Sequence, residues 1–146
     1  MLAPLNSSRP KAATIPKLTG CWLTSGLHIG ADVAIWAAMS GTIPAQGVIA
    51  IGALGPVMSN PTRLDPYLAS AKARRLAFYC LIGLQELGLA DIEPDQRVLP
   101  AIYTYLQEHG FPVSLQFTQW VGHDYPTDMV AFWQNALAFI EASQAK

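Results

Sequence analysis

Two stretches of the chain, GVIAIGAL (Gly47 to Leu54) and LAFYCLI (Leu76 to Ile82), run apolar without a break over strand length. A strand with one face in water alternates apolar and polar residues, so an unbroken run predicts a strand covered on both faces. Parallel sheets have this property, because joining parallel neighbours needs a crossover segment, usually a helix, that packs on a face. A third run, LTGCWLTS (Leu18 to Ser25), reads as a further buried strand leading into a glycine turn.

The segments between these runs fit crossover helices. Ala31 to Met39 is apolar almost all round, with Gly41 where a C-cap glycine belongs. Asp65-Pro66 sets a capping residue before a first-turn proline and starts a short helix to about Ala73. A helix is expected from Leu99 to His109, with Pro100 in its first turn and Gly110 as its stop; a histidine at such an end suits the helix dipole. Val113, Leu115 and Phe117 alternate with Ser114, Gln116 and Thr118, a half-exposed strand. Met129, Phe132, Trp133, Ala136, Leu137 and Ile140 then recur at helical spacing, which predicts an amphipathic closing helix capped by Thr127. Its aromatic residues Phe132, Trp133 and Phe139 read as core packing. The order, strand then helix four times over, predicts an α/β fold: an open parallel sheet of about four strands with flanking helices.

Residues 1–17 mix Pro, Ser, Ala and Lys without either hydrophobic period and read as a loose tail, leaving residues 18–146 as one domain. A net charge of -1 leaves no electrostatic footprint for nucleic acid, and Arg74-Arg75, bracketed by apolar residues, reads as the lead-in to a strand. Cys21 and Cys80 lie in apolar runs and are expected as buried free thiols. No leader segment is evident, and no apolar run reaches the ~20 residues of a membrane span. A cytoplasmic protein with no membrane or nucleic-acid partner is expected.

In open parallel sheets, chemistry gathers at the carboxyl ends of the strands. Three candidate residues follow strand ends: His28, Glu86 and His123. His28 is the centre of Gly26-Leu27-His28-Ile29-Gly30, between a strand and a helix. Glu86 closes Ile82-Gly83-Leu84-Gln85-Glu86. His123 lies in Val121-Gly122-His123-Asp124-Tyr125-Pro126, ahead of the closing helix. Each also has a plain reading: a helix-start residue, a solvated charge and a loop histidine.

Together, in this order, the three segments resemble the C-terminal half of the α/β-hydrolase fold, nearest its carboxylesterase, phospholipase and dienelactone-hydrolase-like branches, over about Leu18 to Ile140. The resemblance places Gly26–Gly30 at the family's G-x-S-x-G elbow, Glu86 at its acid, with Asp91 and Asp95 as competitors, and His123 at its base. The backbone N–H of Ile29 matches an oxyanion donor. The implied chemistry is acyl transfer on small esters or thioesters without a cofactor. Here the nucleophile position holds His28, so weak or no activity is expected; Thr24 and Ser25 carry hydroxyls but precede the turn. The alternative is a non-catalytic truncated relative acting as a binding or assembly partner. A minor alternative is a metal site built from His28, His123 and a carboxylate, the ligand types of many zinc sites. The family's earlier strands would lie upstream of Leu18, so the first strand is expected to be an open apolar edge through which the chain forms a homo-oligomer.

Overall fold

A computed structural model describes residues 23–52, 56–85, 100–118 and 125–145. Four strands, β1 (Leu23–Leu27), β2 (Gly47–Ile51), β3 (Ala77–Gly83) and β4 (Val113–Thr118), form one sheet in the order β1-β2-β3-β4. Every neighbouring pair is parallel. The helices are α1 (Ile29–Ser40), α2 (Pro56–Ser59), α3 (Leu68–Ala73), α4 (Ala101–Glu108) and α5 (Met129–Gln144), and a 3-10 helix (Pro61–Tyr67) precedes α3. The expected α/β architecture is the one observed.

β2 and β3 are buried at every position, as their unbroken apolar runs require. Alternate residues divide between two cores. On one face Val48, Ala50, Phe78, Cys80 and Ile82 pack under α1, α3 and α4. On the other, Ile49, Ile51, Ala77, Tyr79 and Leu81 meet Phe132, Ala136 and Ile140 of α5. Tyr79 sits between Phe132 and Phe139 at ring separations of 5.5 and 5.9 Å, so the aromatic residues of the closing helix are core packing. In β4, Leu115 pairs in register with Cys80 and is half-buried, whereas Gln116 and Phe117, which pair with Leu81 and Ile82, are both exposed. The burial of β4 does not follow its period-two alternation: Val113, Ser114 and Leu115 are all half-buried, and the exposed positions lie together toward the carboxyl end. Cys80 is a buried free thiol whose pKa burial pushes up to about 12; Cys21 lies outside the described residues.

Several element ends differ from the sequence reading. α1 begins at Ile29, two residues early, and ends on Gly41 in the left-handed region (φ 79°), as expected. β2 stops at Ile51 because Gly52 turns the chain with φ 56°. Asp65 is not a cap. The helical turn starts earlier, at Pro61, where a missing N–H costs nothing, and the Asp65 carboxylate accepts the Tyr105 hydroxyl at 2.6 Å. Burial, and with it that bond and the charge of Asp65, holds the Tyr105 phenol protonated well above its usual range. Pro100 stands just before α4 as its N-cap. Asp128, not Thr127, caps α5: its Oδ1 accepts the Ala131 N–H at 2.9 Å, and a carboxylate there also suits the positive helix end. His109 closes α4, its Nδ1 donating to the Tyr105 carbonyl at 2.8 Å. Among the described residues, no helix is long and apolar enough to cross a membrane.

The arginine doublet does more than lead into β3. Arg74 sends its guanidinium to the carbonyls of Ala38 and Met39, the last turn of α1, with Nη2 to Met39 at 2.7 Å, while Nε donates to Ser70. Arg75 donates through Nη1 to the Gln144 carbonyl at the end of α5 at 3.0 Å, and its own carbonyl accepts Gln144 Nε2 at 2.8 Å. Two adjacent residues thus close two helices on opposite faces of the sheet, each a cation at a helix C-terminus.

Candidate functional site at the strand carboxyl ends

All four strands run the same way, so the strand-to-helix turns after β1 and β2 open on one end of the sheet. The turn after β1 is the tightest. One residue, His28, separates β1 from α1, and its backbone sits at φ 59°, ψ -125°. A side chain with a Cβ rarely adopts a positive φ, and holding it there costs of order 1–3 kcal/mol. Apart from Arg75, His28 is the only non-glycine residue with positive φ among the described residues.

The surroundings fix this conformation from both sides. The His28 N–H donates to the Ile51 carbonyl at 2.9 Å, which carries the β1–β2 pairing one step past the strand end. Its carbonyl accepts the N–H groups of Ala31 at 2.9 Å and Asp32 at 3.1 Å, which starts the helical ladder of α1. The chain must reverse so sharply that α1 folds back onto β1. A Cβ on Gly26 would lie 2.1 Å from the Gly30 carbonyl oxygen, far inside contact distance, whereas one on Gly30 would meet nothing within 4 Å. Gly26 is therefore a steric requirement of the turn; Gly30 supplies the backbone that comes down on it.

The N–H groups of Ile29 and Gly30 precede the ladder, at the N-terminal turn of a helix where such donors face outward. The Ile29 side chain is 71% exposed. One turn on, Asp32 is buried, and its Oδ2 accepts the Val57 N–H at 3.2 Å. This ties the segment after β2 to the start of α1, beside the His28 turn. The sequence reading missed Asp32; the signal was a single acid in the first turn of an otherwise apolar helix.

Of the candidate residues, His28 forms the turn and Ile29 opens α1 directly after it. Glu86, with its competitors Asp91 and Asp95, and His123 lie outside the described residues. The metal alternative includes His123 and shares that position; among the described residues no group of three His, Cys, Asp or Glu side chains is placed to hold an ion.

No protein-family model and no curated protein matches the chain. A crystal structure of an uncharacterized protein from Bacillus cereus ATCC 10987 is similar in fold, with a TM-score of 0.65 and 21% sequence identity. The match covers 82% of this chain and 36% of that one, so the chain spans about a third of that protein's length. The likeness confirms the open parallel α/β architecture.

Proposed function

We propose that the chain is an α/β-hydrolase-like relative of carboxylesterases whose elbow holds an imidazole in place of the serine hydroxyl. The observation that carries this reading is the backbone of His28: a positive-φ residue alone between a parallel strand and a helix N-terminus, with Gly26 pressed under Gly30. A nucleophile elbow has this construction, a strained strand-to-helix turn that lifts one side chain above the carboxyl end of the sheet. On this reading Ile29 donates its N–H to the oxyanion, His123 serves as base, and Glu86 orients it, with Asp91 and Asp95 as the other acids. The substrates are small esters or thioesters met in the cytoplasm, and no cofactor takes part.

An imidazole in the nucleophile position can still transfer an acyl group. One ring nitrogen attacks the carbonyl carbon, and the ester or thioester bond breaks. The alcohol or thiol leaves with the proton released from the other ring nitrogen, and water then hydrolyses the acyl-imidazole. The route lacks a matched base for the first step, so turnover is slow. A non-catalytic binding or assembly role is the second reading; the exposed apolar face of α1 favours it.

The test is hydrolysis of p-nitrophenyl acetate by the full chain and by His28→Ala, His28→Ser and His123→Ala. The expected order is His28→Ser fastest, by about tenfold over the parent, with parental turnover lost in His28→Ala and reduced in His123→Ala. Equal rates in all four proteins would overturn the hydrolase reading.

A further inference from the structure

The end of the sheet opposite His28 carries a cleft of about 300 Å³ between the C-terminal ends of α3, α4 and α5. That is the low end of the range for small-molecule sites, a volume that suits a ligand built on a single ring. Leu76, Phe111 and Pro112 form an apolar wall, and Gly110, at φ 76°, leaves open space where a side chain would stand. The charged residues that line the cleft, Lys72 and Arg75, are both cationic. Glu108 and Glu141, on α4 and α5, are not among the lining residues.

The fold does not use up either cation. The Lys72 ammonium makes no hydrogen bond or ion pair among the described residues. Arg75 is held at φ 56°, a strained position for a residue with a Cβ; its carbonyl accepts Gln144 Nε2 at 2.8 Å, and its Nη1 donates to the Gln144 carbonyl at 3.0 Å. Its guanidinium is therefore oriented before any ligand arrives. The Nε–Nη2 edge takes no bond among the described residues, and such an edge pairs with a carboxylate through two parallel hydrogen bonds.

We infer that this cleft binds a small organic carboxylate, its head on Arg75 and Lys72 and its apolar body against Leu76, Phe111 and Pro112. The helix ends decide the charge. Each C-terminus carries at most about half a negative charge, so the three ends offset most of the two cations. What remains suits a single negative charge and disfavours a doubly charged phosphate ester. Binding here does not depend on turnover at His28, which lies at the other end of the strands.

Benzoate titrated into the full chain at low salt, followed by amide shifts in two-dimensional NMR spectra, tests this, with benzamide and phenyl phosphate as parallel probes. The expected result is saturable shifts of the Leu76, Gly110 and Phe111 amides with benzoate. Benzamide, which keeps the ring and loses the charge, binds about tenfold more weakly, and phenyl phosphate no more tightly than benzoate. Lys72→Met and Arg75→Gly each weaken benzoate about tenfold, the loss of a charged contact. Lys72 is exposed, so its substitution leaves the core alone, and the remaining amide shifts check each fold. Arg63→Met removes an exposed cation that does not line the cleft and leaves benzoate binding unchanged. Absence of saturable shifts at these amides would overturn the inference, as would equal binding of benzoate and benzamide. So would benzoate affinity that is unchanged in Lys72→Met and Arg75→Gly, or that falls as far in Arg63→Met, which would make the effect one of net charge. Phenyl phosphate binding more tightly than benzoate would overturn the assignment to a carboxylate.

Discussion

At the amino ends of the strands, two consecutive arginines close α1 and α5 on opposite faces: four bonds run from their guanidinium groups to helix carbonyls, and Gln144 donates to the Arg75 carbonyl. At the carboxyl ends, the His28 backbone makes a ladder bond to Ile51 and the first helical bonds of α1, and Gly26 sits against the Gly30 backbone. Both ends hold a non-glycine residue at positive φ, 59° at His28 and 56° at Arg75. The difference is where the side chain goes. The Arg75 side chain grips Gln144 through Nη1. At His28 main-chain bonds set the turn, and on the proposed reading the side chain is the part that an elbow presents.

The sharpest way to break the comparison is to remove the space that the elbow needs. Gly26→Val would drive a branched side chain into the Gly30 carbonyl, with backbone on both sides and no room to yield. The expected loss is roughly 3 kcal/mol or more, enough to unfold much of a marginal domain. Gly30→Ala, four residues along, meets open space and a helical backbone, and is expected to fall within about 0.5 kcal/mol of the parent. Urea melts of the pair measure the difference. Similar midpoints would mean that the turn relaxes and is not the rigid element described.

This contrast also marks how far the sequence could be read. The two glycines were legible as a turn from their spacing around His28, but not which of them is indispensable, because that depends on how closely α1 folds back on β1. The sheet was legible because burial on both faces leaves an unbroken run, as in β2 and β3; β4 was legible as a strand from its alternation, but not which of its residues are covered, since Ser114 is half-buried and Phe117 exposed. Caps were less so: Asp65 and Asp128 are both acids near a helix start, and only the packing of Tyr105 and the direction of the chain decide which one meets helix N–H groups. The apolar circumference of α1 reads as burial all round; its pattern is silent on Val33 and Trp36 lying outside this fold. The partners of Arg74 and Arg75 lie 35 and 69 residues away in the chain. No local pattern reports contacts at that range.

Arg74→Met tests the amino end next. It keeps most of the aliphatic stem and removes the bonds to Ala38, Met39 and Ser70. Charged donors on carbonyls, part-buried and at a helix C-terminus, make the expected loss about 2 kcal/mol. The loss belongs to stability, so a cold, fully folded sample should keep whatever esterase rate the parent has. An Arg74→Met protein that melts like the parent yet loses turnover would reverse the division between the ends.

Arg75 gives the smallest effect and the most discriminating one. Its backbone closes α3 with two bonds, Arg75 N–H to Lys72 and Leu76 N–H to Ala71, in the pattern that usually places glycine at the left-handed position. α4 closes the same way with Gly110, whose N–H reaches Gln107 while the Phe111 N–H reaches Leu106, and there φ is 76°. Replacing Arg75 by glycine relieves a left-handed strain of about 1 kcal/mol. It also removes the Nη1 bond to Gln144, an exposed contact worth about 1 kcal/mol. The two nearly cancel, so Arg75→Gly is expected within about 0.5 kcal/mol of the parent. Arg75→Ala loses the bond without relieving the strain and is expected to fall about 1 kcal/mol lower than the parent. If instead Arg75→Gly proves clearly less stable than Arg75→Ala, the positive φ carries no strain. The parallel with His28 would then rest on the elbow's geometry alone.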